Sequence, residues 1–209
     1  MSIFEKANLL AVLNSFGDVV ETKNVINSAA ANKIIEKYNQ HYKVYNKRDS
    51  SNKRYGLSLT SLDGGFSGIP DLDSLSQYRQ ETGIDHLETD FTTPTPLLTE
   101  LNNITNVFKK YDIGRSHIIK MDKGGHFPPH RDLDDTFRLI CWLDSNPPRD
   151  IMFVLENRVL HLEQGIFYFI NTIKYHSVFS FVDNNKMIVI NAVLDEKNVH
   201  QLIKDRLYS

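Results

Sequence analysis

The sequence predicts a mainly β protein with flanking helices, and the spacing of its apolar residues carries this prediction. After Tyr111, short apolar or alternating runs follow one another and are broken by Gly, Pro, Asp and Asn. Seven such runs occur in the second half of the chain: 115–121, 137–143, 151–155, 158–162, 166–170, 176–182 and 187–194. Strands so short and so closely spaced indicate an antiparallel sandwich or barrel.

The rest of the chain is predicted to be helices and loops that pack on this β core. Apolar residues recur at helical spacing in four stretches: 3–16, 23–39, 97–111 and 197–207. A short strand is expected over 56–62. We therefore expect an N-terminal extension over 1–111 and a β core with a C-terminal helix over 112–209.

Composition excludes several classes of function. The chain has 209 residues, with 24 Lys plus Arg and 26 Asp plus Glu, so its formal charge is −2. A charge this close to zero argues against bulk nucleic-acid binding and against docking on anionic lipid. The single Cys141 excludes an intrachain disulfide and a cysteine-rich zinc or iron–sulfur site. The apolar runs are too short for a membrane span and the first residues lack a signal-peptide layout, so we expect a soluble cytoplasmic protein.

The segment GGHFPPHRDLDD, residues 124–135, carries the most chemical information. His130 and Asp132 are two residues apart, so on a strand their side chains share one face and can converge on one ion. His176 begins a later predicted strand and can supply a third ligand. Two histidines and one carboxylate with open positions suit non-haem Fe(II). The alternative is a solvated hydrogen-bonded pair and an unrelated strand-end histidine.

A cation follows on the last predicted strand. Lys186 lies ten residues after His176, and a turn over 183–185 would let its side chain enter the barrel. A buried lysine needs an anionic partner or loses its charge, and the distal carboxylate of 2-oxoglutarate is the expected partner. The alternative is a strand-edge lysine that points to water.

The segments that contain these candidate residues resemble a known protein family. Three stretches carry the likeness: HIIKMDKGGHFPPHRD, FRLICWL and EQGIFYFINTIKYHSVFSF. From His117 to Val193 they resemble the double-stranded β-helix, a jelly-roll and cupin-like fold, of the iron(II)- and 2-oxoglutarate-dependent oxygenases. More narrowly, the chain is similar to the aspartyl/asparaginyl β-hydroxylase-like branch, to which some proline hydroxylases are close.

The resemblance implies an activity, its cofactors and its site residues. It implies a dioxygenase that hydroxylates an amino-acid residue, free or in a polypeptide, with Fe(II), 2-oxoglutarate and O2, and with ascorbate as a stimulant. His130, Asp132 and His176 would be the iron ligands. Lys186 would stand where the branch usually has an arginine that binds 2-oxoglutarate. The partner is then a small-molecule, peptide or protein substrate.

Three further polar residues on predicted strands are candidate cofactor ligands. Arg138 lies among apolar residues and either reaches the barrel mouth or binds an anion, while Lys120 is a weaker candidate of the same kind. Asn171 either binds a ligand or caps a turn. Two alternatives stay open for the whole chain: a cupin-type metalloenzyme that does not use 2-oxoglutarate, and a non-catalytic β-barrel binding module.

Overall fold

The computed structural model describes residues 1–144 and 146–206, and for residues 48–50 it describes the backbone alone. The helices are α1 (Ile3–Ser15), α2 (Ser28–Glu36), α3 (Leu75–Thr82), α4 (Pro96–Leu101), α5 (Val107–Lys110) and α6 (Glu196–Asp205). The strands of the first half are β1 (Val19–Val25), β2 (Lys43–Val44), β3 (Arg54–Ser58), β4 (Thr60–Ser61) and β5 (Thr93–Pro94). Those of the second half are β6 (His117–Met121), β7 (His126–His130), β8 (Thr136–Trp142), β9 (Ile151–Leu155), β10 (Arg158–Val159), β11 (Ile166–Ile170), β12 (His176–Ser180) and β13 (Asn185–Val193).

Two antiparallel sheets form the β core. The major sheet has seven strands in the order β1-β11-β8-β13-β6-β3-β2, and the minor sheet has four in the order β10-β9-β12-β7. Apolar side chains from both sheets, among them Ile140 and Met187 of the major sheet and Phe153 and Val178 of the minor sheet, form one buried cluster. The fold is therefore mainly β with flanking helices, a double-stranded β-helix of the jelly-roll and cupin type, as the sequence predicts.

The helices pack on the opposite face of the major sheet. Leu13 of α1, Ile35 of α2 and Leu97 of α4 form a second buried cluster with strand residues such as Leu139 and Ile188. Every residue of β8 is consequently buried, because this strand has the minor sheet on one side and the helices on the other. When a central strand is covered on both faces, both faces are apolar, so the sequence does not show which face points into the space between the two sheets.

Local signals explain where the helices begin. Ser2 and Glu5 form a capping box at α1, and the side chains of Asn27, Thr95 and Asp195 cap α2, α4 and α6. Each oxygen accepts a hydrogen bond from a backbone N–H that the first helical turn leaves unpaired. Among the described residues, none of the helices combines the length and apolar character that crossing a membrane requires.

Two sequence predictions about helices need correction. The helix predicted over 23–39 begins only at Ser28, because Asn27 caps it and the preceding residues form β1, which pairs with β11. The apolar stripe over 97–111 is divided between α4 and α5, and Thr105 between them donates its hydroxyl to the carbonyl of Val25. The residues of the stripe are nevertheless buried. The helical spacing of these residues therefore predicts correctly that they pack in the core, but it overestimates the length of the helix.

The first half of the chain also supplies strands to the major sheet. β1 pairs with β11 at one edge, and β3 pairs with β6 at the other. The division of the chain into an extension over 1–111 and a core over 112–209 stays a prediction.

Candidate metal centre

Three side chains meet at one end of the minor sheet. His130 ends β7 and lies directly opposite His176, which begins the neighbouring β12. Asp132 follows β7 immediately, and its backbone N–H donates to the carbonyl of Thr172 at 2.9 Å. One ligand atom from each of these side chains lies within 4.8 Å of the others. The structure thus brings together the three residues that the sequence predicts as metal ligands.

The two histidine Nε2 atoms and the Asp132 carboxylate form a small triangle. His130 Nε2 lies 3.6 Å from Asp132 Oδ1, and His176 Nε2 lies 3.8 Å from Asp132 Oδ2. The two imidazole rings have their centroids 4.2 Å apart. Both distances from Nε2 exceed a normal hydrogen bond, and they leave room for an ion between the donor atoms.

Backbone carbonyls fix the tautomer of both histidines. His130 Nδ1 lies 2.8 Å from the Pro128 carbonyl oxygen, and His176 Nδ1 lies 3.1 Å from that of Lys174. Because a carbonyl oxygen only accepts, each Nδ1 carries the proton and donates it. In the neutral ring each Nε2 is then the unprotonated nitrogen, which is the form that binds a metal.

Electrostatics keep the ligand groups in the protonation state that a cation needs. Burial raises the pKa of Asp132, but the charge of Arg138 and the two neighbouring imidazoles outweigh burial and hold that pKa below its usual range. Burial also lowers the pKa of His176, against the opposing effect of Asp132. At neutral pH the site therefore presents one carboxylate and a neutral His176.

A chain of buried ion pairs supports Asp132. Arg138 Nε lies 3.0 Å from Asp132 Oδ2, and Arg138 Nη2 lies 2.8 Å from Glu88 Oε2. Glu88 Oε1 in turn lies 3.3 Å from Arg115 Nη2. The four side chains alternate in charge, so no two like charges are adjacent along the chain.

Gly114 allows Glu88 to reach this position. The Glu88 carbonyl accepts from the Arg115 N–H at 2.8 Å, and a Cβ at position 114 would lie 2.5 Å from the same carbonyl oxygen. A larger residue would therefore push the turn of Glu88–Asp90 away from the start of β6.

The triad opens into a cavity between the two sheets. Aromatic rings line it on the side of the histidines: Phe153 stacks on His176 with centroids 5.6 Å apart, and Phe127 stacks on His130 at 5.9 Å. A second, more open cavity adjoins the first and also contacts His130 and Asp132. Arg131 lines this outer space, with its guanidinium 4.2 Å from the ring centroid of Tyr175.

Lys186 lies elsewhere, and the expectation that it enters the barrel is corrected. Its Nζ is 2.8 Å from Asp144 Oδ2, and its neighbours Ile188 and Ile190 on the same face belong to the helix-covered cluster. The alternate residues Met187 and Val189 line the cavity instead. Strand alternation groups Lys186 correctly with Ile188 and Ile190 but does not tell which of two apolar faces is the interior.

Lys120 and Asn171 also lie away from the triad, whereas Arg138 lines the cavity. Lys120 faces Lys186 across the sheet, and its ammonium lies 4.7 Å and 4.8 Å from the rings of Tyr42 and Tyr55. Asn171 donates from Nδ2 to Asn14 Oδ1 at 2.8 Å and so connects β11 to α1. The expected roles of these two residues in cofactor binding are corrected accordingly.

Sequence reasoning missed several residues that line the cavity. They are Tyr45, Glu88, Arg115, His117, Thr172 and Asn191. Glu88 lies in a short turn far from the metal motif in sequence, so no local pattern points to it. His117, by contrast, shares a face of β6 with the buried Ile119 and Met121, and that alternation was a usable signal.

No family model and no curated protein matches the chain. Solved structures match it at low sequence identity. A prolyl-4-hydroxylase from Pseudomonas putida is 10% identical with a TM-score of 0.48, over 88% of this chain and 98% of that one. A prolyl hydroxylase from Trichoplax adhaerens, in complex with a hypoxia-inducible-factor peptide fragment, is 12% identical with a TM-score of 0.47, over 94% and 93%. A 2OG-Fe(II) oxygenase family protein from Burkholderia pseudomallei is 14% identical with a TM-score of 0.45, over 91% and 90%.

Smaller solved proteins match only part of the chain. They are a conserved protein of unknown function from Streptococcus pyogenes and two cupin proteins, each with a TM-score of 0.30. The matches cover 36–37% of this chain, which spans 62–69% of their lengths.

Proposed function

We propose that this protein is an Fe(II)- and 2-oxoglutarate-dependent oxygenase that hydroxylates an amino-acid residue, free or within a polypeptide. The observation that carries the proposal is the triangle of two imidazole Nε2 atoms and one carboxylate at the edge of a buried cavity. Three ligands of this kind on one side of an ion leave positions open for other molecules.

The residues present fit such an ion. His130 and His176 offer unprotonated nitrogens, and their Nδ1 protons are held by backbone carbonyls. Asp132 is oriented by Arg138 and by the backbone of Thr172, as ligating carboxylates commonly are. Iron(II), when bound there, supplies activation of dioxygen and oxidation of a C–H bond coupled to decarboxylation of a 2-oxo acid.

The charges of the cavity support an anionic cosubstrate. Glu88, Arg115, Asp132 and Arg138 are the charged Asp, Glu, Arg and Lys side chains among the described residues that line it, and their formal charges cancel. A dication at the triad leaves two positive charges in a buried space, which a dianionic 2-oxo acid balances. The resemblance of residues 117–193 to the oxygenase family favours 2-oxoglutarate as that acid.

The protein would contribute position and exclusion of water. Phe127 and Phe153 pack against the two imidazoles and restrict solvent at the ion. The outer cavity adjoins the triad and gives the substrate a path to it. The choice of an amino-acid residue as substrate, free or in a polypeptide, rests on the resemblance to the aspartyl/asparaginyl and prolyl hydroxylases.

One observation favours a second candidate, a metal-dependent enzyme of the cupin type that does not use 2-oxoglutarate. Lys186, which would bind the distal carboxylate in the resembling branch, pairs with Asp144 outside the cavity. The two candidates differ in one measurable property, the affinity of the metal-loaded protein for 2-oxoglutarate.

Titration distinguishes them. Mn(II) is added to the protein and to its His176→Ala and Asp132→Ala variants, and 2-oxoglutarate is then titrated into each metal-loaded form by calorimetry. The oxygenase requires that the parent bind Mn(II) and then 2-oxoglutarate, and that both variants lose metal affinity. Metal binding without 2-oxoglutarate binding supports the second candidate, and absence of metal binding refutes both.

A further inference from the structure

Two buried nitrogen atoms on the major-sheet wall of the cavity are left without a hydrogen-bond partner in the part of the chain that the structure describes. They are Arg115 Nε and His117 Nδ1, and the two residues are 8% and 4% exposed. Buried polar groups are nearly always paired with protein or with ordered water, so these two nitrogen atoms need a partner that the described residues do not supply. Asn191 Oδ1 is a third such atom, but it is an acceptor and a carboxylate does not satisfy it.

Arg115 is held rigidly in place. Its Nη1 donates to the Asp73 carbonyl at 2.9 Å, its Nη2 pairs with Glu88, and its own carbonyl accepts from Asn191 Nδ2 at 2.6 Å. The Nε–H has no hydrogen-bond partner among the described residues. A guanidinium fixed in this way binds an oxygen ligand with little loss of side-chain freedom.

His117 lies beside Arg115 as a neutral donor. Burial, together with the charges of Arg115 and Arg138, lowers the pKa of His117 well below its ordinary value. Its ring packs edge-on against Tyr45, with centroids 5.3 Å apart. A neutral imidazole still donates one N–H, so the pair offers two donors to one ligand.

Among the described residues, most of the remaining cavity wall is apolar. Aliphatic and aromatic side chains occupy it between the sheets: Ile119, Ile140, Phe153, Val178, Met187 and Val189. Arg138 also lines the cavity, but Asp132 and Glu88 already pair with its guanidinium at 3.0 Å and 2.8 Å. Arg115 pairs with one carboxylate and keeps an Nε–H without a partner, so an anionic group that enters the cavity is better satisfied at Arg115 than at Arg138.

We infer that Arg115 and His117 form a carboxylate-binding subsite that takes the distal carboxylate of the 2-oxo acid, in the place that the sequence assigns to Lys186. This inference rests on the proposed function. It assigns recognition of the cosubstrate to the start of β6 rather than to β13.

The test compares two acids that differ in the distal carboxylate alone. 2-Oxoglutarate and 2-oxopentanoate are titrated into the Mn(II)-loaded full chain, its Arg115→Met variant and its Lys186→Met variant. Lys186→Met is the matched control, because it removes the same charge from the opposite face of the sheet. Mn(II) affinity is measured for each protein, so that a loss of the metal site is detected separately.

The parent is expected to prefer 2-oxoglutarate strongly, and Arg115→Met is expected to abolish that preference. Removing one partner of a desolvated charge pair weakens affinity by roughly 30-fold or more. Affinity for 2-oxopentanoate should change less than about twofold, and Lys186→Met should keep the full preference. His117→Leu removes one donor and no ion pair, and it should reduce the preference for 2-oxoglutarate several-fold. This variant provides the test if Arg115→Met does not fold.

Two results overturn the inference while leaving the proposed function intact. One is an Arg115→Met or His117→Leu protein that still prefers 2-oxoglutarate as the parent does. The other is an equal loss of affinity for both acids, which would indicate general disruption of the cavity. A metal-loaded parent that binds neither acid refutes the proposed function itself and the subsite with it.

Discussion

Replacement of Glu88 by glutamine should destabilise the protein severely, although Glu88 lies outside the β core that carries the metal motif. The side chain is 2% exposed and bridges two buried guanidinium groups, at 2.8 Å to Arg138 and 3.3 Å to Arg115. Breaking a buried ion pair by removing one partner costs about 3–5 kcal/mol, because it leaves a buried charge uncompensated.

The structure places the expected effect at the lower end of that range. Arg138 keeps its pair with Asp132, and Arg115 keeps its hydrogen bond to the Asp73 carbonyl. We therefore expect Glu88→Gln to lower the free energy of unfolding by about 3 kcal/mol. For a chain of this length that corresponds to a fall in Tm of roughly 6–12 °C.

Urea unfolding of the metal-free protein at pH 7 measures this effect. The matched control is Asp85→Asn, which removes a carboxylate from an ion pair with Arg79 whose two side chains are 61% and 64% exposed. Exposed pairs contribute about 0–1 kcal/mol, so the control should differ little from the parent. A Glu88→Gln protein within about 0.5 kcal/mol of the parent would refute the reasoning that Glu88 neutralises both guanidiniums.

Three further predictions concern the metal and the pH dependence of stability. His176→Ala should lose most of its Mn(II) affinity by calorimetry, and full affinity in that variant would contradict its role as a ligand. The pKa of His117 in the folded protein lies below its value of 6.5 in the unfolded chain, so the unfolded state binds the proton more readily. The free energy of unfolding of the parent should therefore decrease below pH 6.5, by up to about 1.4 kcal/mol per pH unit. Urea unfolding at pH 7, 6 and 5 should show a smaller decrease for His117→Gln. Burial raises the pKa of Asp71 from 3.8 to about 6, so Asp71→Asn should be more stable than the parent at pH 7. That advantage should shrink as the pH falls from 6 and vanish below 3.8, and an advantage independent of pH would contradict this assignment.

The proximity of the triad could be predicted because it follows from strand geometry. His130 and Asp132 are two residues apart beside a strand end, and the pairing of β7 with β12 places His176 opposite His130. Alternation and ligand chemistry are both local properties of the sequence. The same reasoning identified the β core, since its strands are short apolar runs divided by turn residues.

The cation at the cavity could not be predicted in the same way. Both faces of β13 are apolar, because helices cover one and the minor sheet covers the other. The pattern therefore grouped Lys186 with Ile188 and Ile190 without telling which way they point. Arg115 and Glu88 meet only through long-range packing, and no spacing in the sequence relates them.

The proposed function requires oxidation of 2-oxoglutarate at the His130–Asp132–His176 site, and succinate formation tests this most directly. The purified protein is incubated in air with Fe(II), ascorbate and 2-oxoglutarate, and without an added substrate. We expect slow succinate production that requires oxygen and disappears in the Asp132→Ala variant. A parent that binds Fe(II) and yields no succinate after prolonged incubation would contradict the proposed oxygenase function.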